Sequence, residues 1–122
     1  MNRLRLGILL VTLGMLAACA RQAAPTSSAE IAGNAAAGDV VINEIMQNPS
    51  AVPDSDGEWF ELVNTTGSAI DIDGWTIRDD DSDSHVINNG GPLIVPAGGF
   101  LVLGNNADAG TNGGVTVGYQ YP

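Results

Sequence analysis

The sequence predicts a small all-β protein, a sandwich of short strands standing behind an N-terminal leader. Three observations carry that reading. Apolar runs of strand length recur at short intervals, and glycine or proline falls at nearly every break between them. Gly57–Ile77, GEWFELVNTTGSAIDIDGWTI, alternates cleanly: Phe60 and Leu62 face one side, Trp59, Glu61 and Val63 the other. Past the leader the composition is rich in glycine, with 14 of the chain's 16, and poor in helix formers, as an all-β chain should be.

Taken in order, 39–46 (DVVINEIM) is the first strand. Its apolar residues fall on both faces, which predicts a position between packed layers and not at an exposed edge. Residues 47–56 carry two prolines and turn formers and read as loop. The alternation of 58–63 gives the second strand. Asn64-Thr65-Thr66-Gly67-Ser68 is turn chemistry, after which Ile70 and Ile72, then Trp75 and Ile77, resume the alternation beyond an Asp73-Gly74 break. Consecutive strands joined by such a turn predict an antiparallel unit with one buried face. Residues 78–84 (RDDDSDS) form a polar turn, 85–87 a short strand, 88–92 a turn, 93–95 a brief strand and 96–99 a turn. Residues 100–103 (FLVL) read as a buried strand, 104–114 as an Asn/Asp/Gly loop, and 115–121 as a last alternating segment.

The 122 residues have room for one small domain plus the leader. Formal net charge is −10 and there is no lysine. Arg3 and Arg5 lie in the leader, so beyond Cys19 only Arg21 and Arg78 stand against all fourteen acidic residues. Such a surface repels phosphate backbones and anionic headgroups, which argues against direct nucleic-acid binding by this segment and against electrostatic membrane attachment.

In the leader, Arg3 and Arg5 form a positive start and Leu6–Leu16 an apolar run too short for a comfortable bilayer span. Leu16-Ala17-Ala18-Cys19 resembles the bacterial lipobox. That resemblance implies cleavage before Cys19 and acylation of its sulfur and new amino group, and multiple acyl chains anchor stably where one is marginal. The alternative is an ordinary signal peptide with a chance cysteine. The lipobox is favoured because Cys19 is the only cysteine and sits at the one useful position. Ala20 is not the aspartate of inner-membrane retention, so a lipid-anchored site in the bacterial cell envelope is expected, at the outer membrane in a diderm host. Residues 21–38, rich in Ala, Ser and Gly, read as a disordered tether. The expected division is therefore a signal peptide over 1–18, a lipidated cysteine and tether over 19–38, and the domain over 39–122.

Four blocks then arrive in one order: VVINEIM at 40–46, GEWFELVN at 57–64, DGWTI at 73–77 and PAGGFLVL at 96–103. This series resembles the lamin-tail domain family, nuclear and bacterial, across essentially all of 39–121. The resemblance implies an immunoglobulin-like β-sandwich and a non-catalytic interaction or scaffold module. It implies core or near-core places for Trp59, Phe60, Leu62, Trp75, Phe100 and Val102, and structural polar roles for Glu44, Glu61 and Asn64. Residues 39–122 fall short of the roughly 100 of a typical immunoglobulin-like sandwich, and the family pattern runs on further. A domain incomplete at its C-terminus is expected, with apolar core partly uncovered and an edge ready to pair with another chain.

Candidate chemistry is sparse. Asp54-Ser55-Asp56 has the opening rhythm of a calcium loop but lacks EF-hand spacing. Asp79, Asp81 and Asp83, with Asp80, form a denser cluster whose repulsion a divalent cation would relieve. Solvated acidic turns are the simpler reading of both, with calcium the only cofactor left open. Glu44 and Glu61 suit structural hydrogen bonding better than acid/base catalysis. His85, the only histidine, lacks the partners that metal binding or nucleophilic catalysis would need. The functional expectation is a surface-anchored module that meets a protein partner in the envelope, in an oligomeric state the sequence does not specify. Two other readings stay open: the accessory front domain of a secreted hydrolase, nuclease-like, and a calcium-stabilised adhesion module.

Overall fold

A computed structural model describes residues 34–122. Cys19, the signal-peptide reading and most of the tether lie outside the described residues. The elements run β1 (Val40–Met46), α1 (Asp54–Gly57), β2 (Trp59–Asn64), β3 (Ile70–Asp71), β4 (Thr76–Arg78), β5 (Ser84–Val86), β6 (Ile94–Val95), β7 (Phe100–Gly104) and β8 (Tyr119–Gln120). One sheet has the order β1-β2-β7-β8, antiparallel except for the parallel β7–β8 pair. Two antiparallel ribbons, β3–β6 and β4–β5, complete the fold. The chain is thus mostly β with one helical turn, and the immunoglobulin-like all-β expectation holds.

The period-two side-chain alternation of a strand explains how the layers meet. On β2, Phe60 and Leu62 stand opposite Leu103 and Leu101 of β7 and face inward. Ile70, Ile72, Ile87, Leu93 and Val95 come from the ribbons and their flanks to meet Leu103, and these six form one buried cluster. On the other face Trp59 stands opposite Gly104. A Cβ on Gly104 would sit 3.3 Å from Trp59 Cβ and 2.9 Å from Val117 Cγ2, so the register needs glycine there. Trp59 is half-covered by the loop that carries Pro49 and Val52. Within that loop, read from sequence as irregular, the amides of Asp56 and Gly57 both donate to Pro53 O, at 2.9 and 3.1 Å, and close the single turn of α1.

Four expectations are corrected. First, β2 does not pair with β3; it lies between β1 and β7, while β3 pairs with β6. The turn at 64–68 is therefore a corner between layers, and Asn64 is the reason. Its fully buried side chain donates through Nδ2 to Ser68 O (2.8 Å) and Val95 O (3.0 Å). Its Oδ1 accepts from the Thr66 amide (2.9 Å) and hydroxyl (2.8 Å). All four hydrogen-bonding positions of the amide are filled, which holds the chain in the crossing. Second, β1 is an edge strand and its middle residues are exposed. A bulge between Ile42 and Glu44 accounts for the two-faced pattern. The extra residue resets the alternation, so Ile42 and Ile45 pair with Leu62 and Phe60 on one face.

Third, Trp75 and Phe100 are 37% and 54% exposed and are not core. Phe100 alternates outward from inward-facing Leu101, and Trp75 follows the Asp73-Gly74 turn, where Gly74 takes φ +82°. Phe60, Leu62, Trp59 and Val102 are half-buried, the first two against the cluster and the last two on the outer face. Fourth, the folded unit begins before residue 39: Ala35 packs on the core, and the Ala36 amide donates to Asp39 Oδ2 at 2.7 Å. The last expected strand is also short. Residues 105–118 are held as a loop by buried Asn112, which donates to Asn106 O (3.0 Å) and Val115 O (2.9 Å) and accepts from the amides of Gly114 and Val115.

Candidate interaction groove

Among the described residues the inner face of the sheet is not covered along its whole width. Between β1–β2 and the β4–β5 hairpin lies an open groove of about 740 Å³. Its floor is Ile42, Ile45, Phe60 and Leu62, and its far wall is Trp75, Ile77 and Ile87, with Tyr121 also lining it. Ile42 and Ile45 are 57% and 62% exposed. Leaving that much of two isoleucines in water forgoes about 1 kcal/mol each relative to full burial. A contiguous exposed apolar surface marks a contact site more often than scattered apolar residues do.

The outer edge of β1 adds backbone to this surface. β1 pairs only with β2, so among the described residues the other edge of its central part has no strand beside it. Unpaired strand edges are templates for another strand.

One end of the groove is acidic. Asp79 and Asp83 line it beside Arg78, Ser84 and His85. Asp79 Oδ1 accepts the amides of Asp81 (2.9 Å) and Asp83 (3.3 Å), which folds the hairpin turn while the carboxylates stay in solvent. The described residues hold thirteen acidic side chains and a single cation, Arg78. His85 Nε2 lies 2.8 Å from the Tyr119 hydroxyl, which also accepts the Asn88 amide at 2.9 Å. The Tyr121 ring packs against Phe60 with centroids 5.6 Å apart. Burial, and secondarily the charge of Glu58, push the Tyr121 hydroxyl above its ordinary pKa.

The other candidate residues go elsewhere. Among the described residues no three His, Cys, Asp or Glu side chains come together to hold a metal ion, so Asp54 and Asp56 do not join Asp79, Asp81 and Asp83 in a calcium site. Asp54 and Asp56 sit in the single turn of α1. Glu44 and Glu61 face each other across β1–β2; Glu61 lies on the outer face and accepts from Asn43 Nδ2 at 2.8 Å. Neither lines the groove.

Sequence reasoning missed Ile42, Ile45, Ile77 and Tyr121 as site residues. A signal did exist for the first two, because apolar residues three apart in a strand cannot share a face without a bulge.

A sequence model of the Lamin Tail Domain matches residues 33–120, from just before the described N-terminus through β8. No curated protein and no solved structure matches the chain. The match spans well over half of the sequence and agrees with the β-rich architecture described above. The chain belongs to the lamin tail domain family, a family of non-catalytic, immunoglobulin-like β modules.

Proposed function

We propose that this chain is a surface-anchored interaction module. Acyl chains on Cys19 hold it at the bacterial envelope, the segment after Cys19 gives reach, and the sandwich presents its groove to a protein partner. The observation that carries the reading is the open apolar groove bordered by an unpaired strand edge. Recognition of this kind needs apolar anchors and free backbone groups, both of which β1 supplies. The lipobox-like Leu16–Cys19 supports the anchoring half.

Fractionation of cells making the wild type and Cys19→Ala tests the anchor. The wild type stays with membranes and shows an intact mass carrying diacylglyceryl and acyl groups; Cys19→Ala loses both. Wild-type protein that is soluble and unacylated removes the anchoring half. Affinity capture of the acylated protein from detergent-solubilised envelope tests the partner half, and recovery of no specific protein removes it.

A further inference from the structure

We propose that Asn89-Gly90 is a covalent modification site, where the asparagine deamidates through a cyclic imide and leaves an isoaspartyl linkage in the turn. The other Asn-Gly pair, Asn112-Gly113, is protected by the fold. This concerns the chain's own chemistry and stands apart from the partner reading above.

The reaction needs the backbone nitrogen that follows an asparagine to attack that residue's Cγ. The N–Cγ bond forms, the Cγ–Nδ2 bond breaks, and the attacking nitrogen's proton leaves with the amide as ammonia. Water then opens the five-membered imide. Breaking its bond to Cγ gives aspartate; breaking its bond to the main-chain carbonyl carbon gives isoaspartate, whose chain runs through the former side chain. Three structural conditions follow. The attacking N–H must be free of an acceptor, the residue that carries it must crowd it little, and the side chain must be able to swing onto it where water can reach.

Among the described residues four Asp or Asn residues precede glycine. Two fail at the nucleophile: the Gly57 N–H donates to Pro53 O (3.1 Å) and the Gly74 N–H to Ile87 O (2.9 Å), which removes Asp56 and Asp73. Asn112 fails at the side chain, which is 3% exposed. Its Nδ2 donates to Asn106 O and Val115 O, and its Oδ1 accepts from the amides of Gly114 and Val115. Swinging its Cγ onto the Gly113 nitrogen would break that filled set of bonds in a site closed to water.

Asn89 meets all three conditions. Asn89 and Gly90 are exposed, and among the described residues the Gly90 N–H meets no acceptor. Gly90 takes φ +72°, and no heavy atom lies within 4 Å of where a Cβ would stand. The Asn89 Nδ2 is held only by long surface bonds to Gly91 O (3.4 Å) and Pro92 O (3.2 Å), which water can replace. The loop itself is pinned at both ends: the Asn89 amide donates to Asp73 Oδ1 at 2.7 Å and the Leu93 amide to Asp71 Oδ1 at 2.9 Å. An isoaspartyl linkage lengthens the main chain of that pinned loop by one carbon and sets a new carboxylate near Asp73, which repels it.

The test holds the full chain in mildly alkaline buffer at physiological temperature and samples it over time. Each sample is digested with chymotrypsin, which cuts between the two pairs at Phe100, and mapped by mass spectrometry. Methyl transfer from labelled S-adenosylmethionine by an isoaspartyl methyltransferase gives the second readout. The peptide carrying position 89 should show the amide-to-acid mass change and take up label at least about tenfold faster than the peptide carrying position 112. In urea, where both turns are lost, the two rates should converge. Asn89→Gln, whose attack would close a larger and slower ring, should remove the label from the folded protein, and circular dichroism checks that it stays folded.

Equal rates at the two positions in the folded protein overturn the proposal, as does faster reaction at 112. So does label that persists in Asn89→Gln, or a position 89 that reacts in urea and stays unmodified in the folded protein.

Discussion

Replacing Asn64 tests whether one buried amide holds the two layers together. Asn64→Ala removes the donor to Val95 O and one of the two donors to Ser68 O, and leaves the Thr66 amide without its acceptor. Ser68 O keeps a hydrogen bond from the Thr66 hydroxyl at 3.0 Å, and Thr66 is partly open to water. Each buried polar group left unpaired costs about 1–3 kcal/mol. One full loss at Val95 and a partial loss at Thr66 come to about 3 kcal/mol. A domain of this size holds on the order of 5–10 kcal/mol in total, and each kcal/mol moves its midpoint by about 4–8 °C. Thermal melting followed by circular dichroism should therefore show a drop of about 12–24 °C. Asn64→Asp should be worse near neutral pH, because a carboxylate would face two carbonyl oxygens from a fully buried position. Asn89→Ala is the control. Its amide donates to Gly91 O and Pro92 O at the surface, and its loss should cost less than about 0.5 kcal/mol. An Asn64→Ala midpoint within about 2 °C of wild type would refute the corner argument.

Other consequences follow from the same geometry. Gly98 takes φ +62° inside the turn closed by Gly99 N–H donating to Pro96 O at 2.9 Å, so Gly98→Ala should cost about 1 kcal/mol in a urea melt, with an unchanged slope. The Tyr121 hydroxyl titrates above its ordinary value in the folded state. Its contribution to stability is complete below about pH 10 and is lost as pH rises through the folded pKa, because the folded form holds its proton longer. Tyr121→Phe should lessen the alkaline fall in melting temperature. The described residues bring no three His, Cys, Asp or Glu side chains together, so adding calcium or a chelator should leave the midpoint unchanged; a rise of several degrees with calcium would restore the calcium-stabilised reading.

How much of this was legible in the sequence depended on the kind of interaction. The alternation of Phe60 and Leu62 against Trp59 and Glu61 is a local property of one strand, and it gave the faces of β2 correctly. The family blocks carried the fold class. Which strand pairs with which is a long-range property, and here the turn-rich stretch after β2 misled, because Asn64 looks like any turn former until Val95, 31 residues away, is seen beneath it. Burial of Trp75 and Phe100 was misjudged for a related reason: residue type predicts average burial, while the pleat and the layer boundaries decide it at each site. The groove was nearly invisible. It exists because Ile42 and Ile45 fall on one side of a bulge and because the β4–β5 hairpin stands apart from β1, and neither follows from composition.

The central claim, that partners meet this domain in the groove, is most directly tested by site-specific photocrosslinking in the envelope. A photoreactive residue is placed at position 45, in the groove, or at position 100, 54% exposed on the opposite face of the sheet. The account predicts a discrete adduct from position 45 that is absent or much weaker from position 100. Adducts from position 100 alone, or equally from both, would contradict it.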